Sequence, residues 1–207
     1  MTKPSIESSV RSANRMQLQV SEFHHALGAT IGDVPALRDG ELRARIIAEE
    51  LDEVAESLSA GDFANLIKEI CDLLYVVYGT GVAFGVTLHS RLDKPRSEFT
   101  SPPRLVLTSL AQRRLYAGGQ QTVKAIESAS LPHAIRAMQH LLNVIELWLW
   151  RWHVPLQPFF EMVHESNMAK LGGPVRADGK ILKPAGWQAP AISALLAELS
   201  AGKEFGG

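Results

Sequence analysis

Two pairs of acidic residues lie within apolar helical sequence, and this feature limits the fold more than any other in the chain. Glu50 and Glu53 belong to the sequence EELDE, and Glu69 and Asp72 belong to the sequence EICD. Residues three positions apart in a helix share a face, so each pair would project its carboxylates from one side of a helix. Apolar residues repeat at helical spacing around both pairs, which predicts two amphipathic helices.

A short turn separates these two predicted helices. The first is expected to begin near Asp39, a plausible N-cap residue, and to end at about Ala60. Gly61 would stop this helix, and Asp62 would cap the next one. Because a helix rises about 1.5 Å per residue, the acid pairs reach comparable depth when the helices fold back on each other. The pattern therefore predicts an antiparallel helix hairpin with an acidic interior.

Carboxylates that converge between two helices repel one another and resist ionisation. A hard cation relieves that repulsion, and Mg²⁺ or Mn²⁺ takes the oxygen ligands that these residues offer. We therefore interpret the four acids as a metal site, with Mg²⁺ as the expected cofactor and Mn²⁺ as an alternative. The competing interpretation is a solvated acidic face, in which the acids pair with Arg43, Arg45 or Lys68. For a single acid the solvated face is favoured, but the paired spacing favours the metal site.

The remainder of the chain also predicts helices, and no segment predicts a convincing strand. A helix over 13–28 would end at a glycine. Residues 89–103 have the composition of a linker. Further helices are predicted over about 103–117, 120–152 (with a break near 129–132 left open), 156–171 and 191–199. The fold class is therefore all-α, a helical bundle built on the acidic hairpin.

Charge and hydropathy exclude several classes of function. The formal net charge is −1, which offers no electrostatic footprint for duplex nucleic acid or an anionic membrane. No apolar run approaches the roughly 20 residues of a membrane-spanning helix, and the N-terminal residues contain no apolar signal core. We expect a cytoplasmic protein that acts without nucleic acid or membrane. The single cysteine, Cys71, lies in an apolar run and is expected to be buried.

The second half of the chain aligns with the first as a helical copy. With a shift of 68 positions, residues 72–88 fall on residues 140–156 and the apolar pattern agrees at most positions. The acids do not repeat, since Ala137 stands where the first half has Glu69. One interpretation is a duplicated hairpin whose second copy has lost its acids. The other is that any two amphipathic helices align this well, and periodicity alone leaves both open.

The acidic motifs resemble those of the all-α nucleoside triphosphate pyrophosphohydrolases, which include MazG, phosphoribosyl-ATP pyrophosphohydrolase and the MazG-like dUTP pyrophosphatases. The motif of that family, EExxE followed by ExxD, is matched by EELDE and EICD. The resemblance extends to FHHALG, DLLYVVYGT, EMVHESNMAKL and RADGKILKPAGWQAP, and the last of these points to the dUTP pyrophosphatase branch. Residues 89–155 have no counterpart in a typical short member, so about two thirds of the chain is covered.

The resemblance implies a reaction and a set of roles. The reaction is hydrolysis between the α and β phosphates, which yields a nucleoside monophosphate and pyrophosphate. Glu49 would hold a further metal or polarise the attacking water. The implied metal ligands are Glu50, Glu53, Glu69 and Asp72. The implied substrate contacts are Asn167, Lys170, Lys183 and Tyr75.

Some of these side chains have a second interpretation. Tyr75 would stack on or hydrogen-bond the nucleoside, but a half-buried core tyrosine explains the same position equally well. His24 and His25 lie outside the acidic helices, and we expect packing or surface roles for them before catalysis. His164 is open to either interpretation.

We expect one all-α domain over residues 1–207. Within it, 13–88 would form the catalytic half, 104–156 an insertion or degenerate repeat, and 157–207 a C-terminal segment that contacts the substrate. Members of the family that the chain resembles are usually oligomers whose subunits complete each other's sites. This chain is therefore expected to be a homodimer or a single-chain pseudo-dimer, in which the acid-poor hairpin forms one wall of the nucleotide pocket.

The favoured function is that of a Mg²⁺-dependent nucleoside triphosphate pyrophosphohydrolase that controls the nucleotide pool by removing unwanted nucleotides (house-cleaning). The single best substrate is dUTP, and a different base, as in dCTP, is left open. The alternative is a non-catalytic nucleotide or metal sensor, or a helical interaction module, in which duplication has removed turnover. The presence of all five acids of the motif argues against that loss.

Overall fold

The described part of the chain is helical. The computed structural model describes residues 15–89, 109–174, 176–177 and 181–201, and within these ranges it contains no β-strand. The all-α prediction is confirmed. Residues 13–14 of the first predicted helix and 90–103 of the predicted linker lie outside the described residues. Numbered in chain order, the helices are α1 (Arg15–Leu27), α2 (Gly40–Ala60), α3 (Phe63–Phe84), α4 (Ser109–Glu127), α5 (Leu131–Arg151), α6 (Leu156–Met168) and α7 (Ile192–Ser200).

The turn between α2 and α3 forms as its residue types predict. Gly61 ends α2 in the left-handed conformation with φ 69°, which a glycine adopts without steric cost. The Asp62 carboxylate then caps α3 by accepting a hydrogen bond from the Asn65 backbone N–H at 3.0 Å. The Asn65 side chain reaches back across the turn and donates to Ser57 Oγ at 2.6 Å. The two helices therefore run back along each other, and the cap predictions at Gly61 and Asp62 are confirmed.

The start of α2 departs from the simple capping expectation. Asp39 does occupy the N-cap position, but its side chain makes no capping hydrogen bond and its φ is 53°. Its carboxylate instead accepts a hydrogen bond from the Thr30 hydroxyl. The physical reason is competition: an aspartate that ties down the preceding loop is not available to the first turn of the helix.

Helix α3 is the centre of the molecule. It packs against α1, α2, α5, α6 and α7, and nearly every residue from Leu66 to Phe84 is buried. A helix with so many neighbours must be apolar over most of its surface, and the charged residues that interrupt this pattern, Lys68, Glu69 and Asp72, pair with one another. Cys71 is fully buried within it, as predicted. None of the helices in the described ranges combines the length and the apolar character that a membrane span requires.

The predicted helix break between residues 117 and 120 is wrong. The sequence predicts a helix end near residue 117 and a new helix from 120, but α4 continues through Gly118 and Gly119. The chain breaks at 128–130 instead, where Ala129 has φ 53°, as the alternative break near 129–132 allows. Gly119 is in the helix because of packing, since a Cβ at this position would lie 2.5 Å from Leu51 Cδ2 on α2.

The second pair of helices packs onto the first. Helix α4 lies against α2, and α5 lies against both α4 and α3. Helix α6 packs on α3 and α1, and the chain after it returns across α2 and α3. This arrangement leaves a cavity that is lined by α1, α2, α3, the end of α6 and the segment that follows it.

Candidate functional site

Three of the predicted metal ligands converge between α2 and α3. Glu50, Glu69 and Asp72 each offer a carboxylate oxygen, and these oxygens lie within 4.8 Å of one another. Glu50 and Glu69 are 7% and 5% exposed, so most of their surface is removed from water. In the part of the chain that the structure describes, this is the one such group of three potential ligands. The hairpin therefore brings the two sequence motifs together.

Glu53 joins the cluster through Glu69, to which it is hydrogen-bonded. Burial raises the pKa of Glu69, since a desolvated carboxyl group favours its neutral form. Contacts with Lys68 oppose this effect, while the charge of Asp72 and the hydrogen bond with Glu53 add to it, and the net pKa lies above the ordinary value. The cluster therefore favours either a bound proton or a bound cation.

One basic side chain already neutralises part of this charge. Lys68 Nζ lies 2.9 Å from Glu69 Oε2 and 2.9 Å from Asp72 Oδ2. Burial lowers the pKa of Lys68, but the two carboxylates outweigh that effect and the net pKa is raised. The interpretation that acids pair with Lys68 is thus confirmed for Glu69 and Asp72. The ammonium also shows where the structure favours positive charge.

The donor set fits a hard divalent cation. Every candidate ligand is a carboxylate oxygen, the donor type that Mg²⁺ and Mn²⁺ prefer over thiolate or imidazole. Mg²⁺–oxygen bonds are about 2.1 Å long, so oxygens within 4.8 Å of one another need only small side-chain movements to share one ion. The acids can therefore hold a metal ion without rearrangement of the helices.

Glu49 is placed apart from the three-carboxylate cluster. Its two carboxylate oxygens accept from Arg176 at 3.1 and 3.4 Å, and its side chain is 31% exposed. Arg176 also lines the cavity, although the sequence interpretation gave it no role. The available signal was its position in the RADGK segment that carried the family resemblance.

A cavity of about 500 Å³ opens beside the acids. Glu50, Glu53, Lys68 and Asp72 line one end of it. The predicted substrate contacts all lie on its wall: Tyr75, Asn167, Lys170 and Lys183. A pocket that combines clustered carboxylates with lysines suits a ligand that carries both a metal and phosphate groups.

The C-terminal contacts form a linked group. Lys170 Nζ donates to Asn167 Oδ1 at 2.6 Å, and burial lowers the pKa of Lys170. Lys170 and Lys183 also lie near the Trp187 ring, with Nζ atoms 5.6 and 4.4 Å from its centroid. Trp187 is anchored in turn, since its Nε1 donates to the Ser166 carbonyl at 3.1 Å. Trp187 had no predicted role, and it holds both predicted lysines at the cavity.

Tyr75 combines features of both of its interpretations. It is only 6% exposed, it stacks on Phe160, and its hydroxyl lies 3.0 Å from His164 Nδ1. Burial raises the pKa of its phenol. Tyr75 nevertheless lines the cavity. Its hydroxyl is already engaged within the protein by His164.

The cavity also has a far end that the sequence did not identify. Phe23, His24 and Leu27 on α1 face Arg43 on α2 and Gly79 on α3. His24 is 4% exposed, which agrees with the packing role expected for it, and yet it lines the cavity. His25, in contrast, is exposed.

Comparison with known proteins finds a family whose model covers the acidic hairpin. A family model described as phosphoribosyl-ATP pyrophosphohydrolase matches residues 20–97, which include α2, α3 and both acid pairs. The chain is also similar to an uncharacterized protein, L479, of Acanthamoeba polyphaga mimivirus. The two are 23% identical over 146 residues, which amount to 63% of this chain and 58% of the relative. The chain thus spans less than two thirds of that relative's length.

Proposed function

Through residues 20–97 this chain belongs to the all-α nucleoside triphosphate pyrophosphohydrolase superfamily, and on that premise we propose that it is a metal-dependent (d)NTP pyrophosphohydrolase. The observation that carries the proposal is the convergence of Glu50, Glu69 and Asp72 at a cavity that also presents Lys170 and Lys183. Carboxylates hold the cation, and lysines meet the phosphates that the cation does not neutralise.

The reaction is hydrolysis of the α–β phosphoanhydride. Water supplies the new oxygen on phosphorus, the bridging P–O bond breaks, and the products are a nucleoside monophosphate and pyrophosphate. A bound Mg²⁺ or Mn²⁺ would supply charge neutralisation and help to generate the attacking hydroxide. The residues that would hold it are Glu50, Glu53, Glu69 and Asp72.

The remaining acid and the C-terminal segment have positioning roles in this proposal. Glu49 would orient the attacking water or hold a further ion, with Arg176 fixing its carboxylate. Lys170 and Lys183 would bind phosphate oxygens, and Asn167 would hydrogen-bond the sugar or a base edge. The ring of Tyr75 would pack against the nucleoside. We propose dUTP as the substrate and the cytoplasmic nucleotide pool as its source.

The second hairpin has a place in the same proposal. In a family member that works as a dimer, each subunit can complete the site of the other, and here α4 and α5 pack on α2 and α3 within one chain. We propose that residues 104–156 serve as an internal partner and that the single domain carries one acid site per chain, as a pseudo-dimer. Residues 104–108 of that segment lie outside the described residues.

The experiment is a substrate panel. The purified protein is incubated with each dNTP and NTP, including dUTP, in Mg²⁺ or Mn²⁺, and phosphorus NMR distinguishes released pyrophosphate from orthophosphate. We expect pyrophosphate and monophosphate in equal amounts, with dUTP turned over fastest, and no product in EDTA.

Other outcomes separate the alternatives. Tight nucleotide binding without any pyrophosphate release would favour a sensor over an enzyme. Orthophosphate as the first product would place the cleavage at the terminal phosphate and contradict the proposed reaction. A faster reaction with dCTP would retain the enzyme class and change the substrate.

A further inference from the structure

The cavity extends along the hairpin beyond the acids. Glu50 on α2 lies opposite Asp72 on α3, and seven residues further along each helix Arg43 comes level with Gly79 in the same antiparallel register. Seven residues of helix span about 10 Å, or two turns. Between these levels the walls are apolar, with Ile46 on α2 among them. A substrate whose phosphates occupy the acidic end would extend its nucleoside towards the other end.

His24 presents a fixed hydrogen-bond acceptor at this far end. Its Nδ1 lies 2.8 Å from the Thr30 carbonyl oxygen, and a carbonyl can only accept, so the ring proton is on Nδ1. Nε2 is therefore the acceptor of the neutral ring. It lies against α3, where a Cβ at Gly79 would approach it to 2.9 Å. Burial lowers the pKa of His24 to about 4, so the ring is neutral at neutral pH.

Arg43 lines the same end of the cavity and has one unsatisfied donor. The residue is 6% exposed, and its Nε has no hydrogen-bond partner in the structure. The great majority of buried polar atoms in proteins are hydrogen-bonded, so a guanidinium nitrogen without a partner, in a residue that lines a cavity, indicates an absent ligand. A guanidinium can only donate, which means that this partner must offer an acceptor.

We propose that His24 and Arg43 read the nucleobase, accepting a ring N–H at His24 Nε2 and donating to an adjacent carbonyl from Arg43. This inference rests on the proposed function and adds the residues that set base choice. Uracil, thymine and guanine carry a ring N–H beside a carbonyl. Adenine has no carbonyl, and cytosine has no ring N–H on that edge, so either base leaves one of the two protein groups unpaired.

The most sensitive readout is the ratio of kcat/KM for dUTP to kcat/KM for dCTP, because these substrates differ only on the edge in question. His24→Asn keeps a polar group near the Thr30 carbonyl and removes the acceptor at Nε2, whereas His24→Gln keeps an acceptor within reach. Arg43→Met removes the donors, and Arg43→Lys keeps one. We expect His24→Asn and Arg43→Met each to lower the ratio about ten- to a hundredfold, mainly through the KM of dUTP. The Gln and Lys variants should recover part of the loss.

Neighbouring residues supply matched controls. His25 and Arg45 are exposed and do not line the cavity, so His25→Gln and Arg45→Met should leave the ratio unchanged. Inhibition by pyrophosphate should have the same constant in all variants, because pyrophosphate has no base. A variant that loses pyrophosphate inhibition is disturbed at the acidic end of the cavity. In that case the base-reading role is judged from the conservative variant at the same position, His24→Gln or Arg43→Lys.

The inference and the proposed function fail separately. An unchanged dUTP to dCTP ratio in His24→Asn and Arg43→Met overturns the base-reading role, as does a wild-type protein that prefers dCTP. A wild-type protein that releases no pyrophosphate overturns the proposed function instead. In that case the same ratio is measured by calorimetry as relative affinity for α,β-imido-dUTP and α,β-imido-dCTP, with the same expected loss.

Discussion

The molecule contains two helix hairpins, α2–α3 and α4–α5, and they differ in the side chains that they bury. The first buries Glu50 and Glu69 among its apolar residues. The second buries Leu141, Leu142 and Ile145 without any exposed area, and its acids are limited to Glu127 and Glu146. Within the described residues, the carboxylate cluster is confined to the first hairpin.

This difference shows that the architecture does not require the acids. Clustered carboxylates with little exposure to water destabilise a helix pair, because each charge loses hydration and repels the others. Within the described residues, the second hairpin buries a single glutamate, Glu146, and carries no such cluster. The metal site that we propose accounts for the acids of the first hairpin, and single substitutions in the two hairpins test this comparison.

The largest expected effect is on turnover. Glu50→Gln and Asp72→Asn each remove one charged ligand while the side-chain volume is kept. Metal catalysis contributes several kcal/mol, so we expect kcat/KM for pyrophosphate release to fall about a thousandfold or more. Circular dichroism should show an intact helical fold. Asp52→Asn, on an exposed neighbour of the same helix, is the control and should retain activity, and a Glu50→Gln protein with comparable activity would refute the metal role.

The buried His24 on α1, which packs beside the acid hairpin, makes stability depend on pH. The folded pKa of His24 lies near 4 against an ordinary value of 6.5, so the unfolded chain takes up its proton first as the pH falls. Stability present above pH 6.5 is therefore lost between about pH 6.5 and pH 4. Between pH 7 and pH 4 the wild type should lose roughly 3 kcal/mol more than His24→Phe, measured by denaturant unfolding at each pH. Equal losses in the two proteins would show that folding does not lower the pKa of His24.

The contact between the two hairpins is sensitive to one methyl group. A Cβ at Gly119 would lie 2.5 Å from Leu51 Cδ2, whereas a Cβ at Gly118 would lie 3.5 Å from its nearest neighbour, Leu141 Cδ1. We expect Gly119→Ala to destabilise the protein by about 1–3 kcal/mol through overpacking. Gly118→Ala should instead stabilise it by up to about 1 kcal/mol, the helix-propensity gain. The unfolding temperatures of both variants measure this difference. Equal shifts in the two variants would mean that α4 and α2 are not in close contact at Gly119.

The smallest difference concerns the two turns. Asp62 caps α3 with a hydrogen bond to Asn65 N, but Ser130, at the equivalent position before α5, makes no side-chain cap. Asp62→Ala should therefore cost about 1 kcal/mol of unfolding free energy, and Ser130→Ala only a few tenths. Urea titrations resolve such differences. A larger loss in Ser130→Ala would reverse the expected order.

The parts of this molecule that sequence could predict are those set by local spacing. The hairpin, its caps at Gly61 and Asp62 and the convergence of Glu50 with Asp72 follow from helical periodicity and turn chemistry. The continuity of α4 could not be predicted in this way. Two successive glycines, Gly118 and Gly119, indicate a helix end from sequence alone, and only the structure shows that Leu51 packs against Gly119.

The far end of the cavity was missed for a similar reason. His24, Arg43 and Gly79 come from three separate helices, so only the packed structure brings them together. Arg176 belongs to this class too, since its contact with Glu49 joins residues 127 positions apart.

The most direct test of the difference between the hairpins is a Mn²⁺ titration followed by electron paramagnetic resonance. Wild-type protein, Glu50→Gln and Glu146→Gln are compared, since both glutamates are buried and only Glu50 lies in the carboxylate cluster. We predict that wild type and Glu146→Gln bind Mn²⁺ with equal affinity and that Glu50→Gln does not bind it in the same range. Mn²⁺ binding that survives Glu50→Gln, or that is lost in Glu146→Gln with the fold intact, would contradict the assignment of the cation to the acid hairpin.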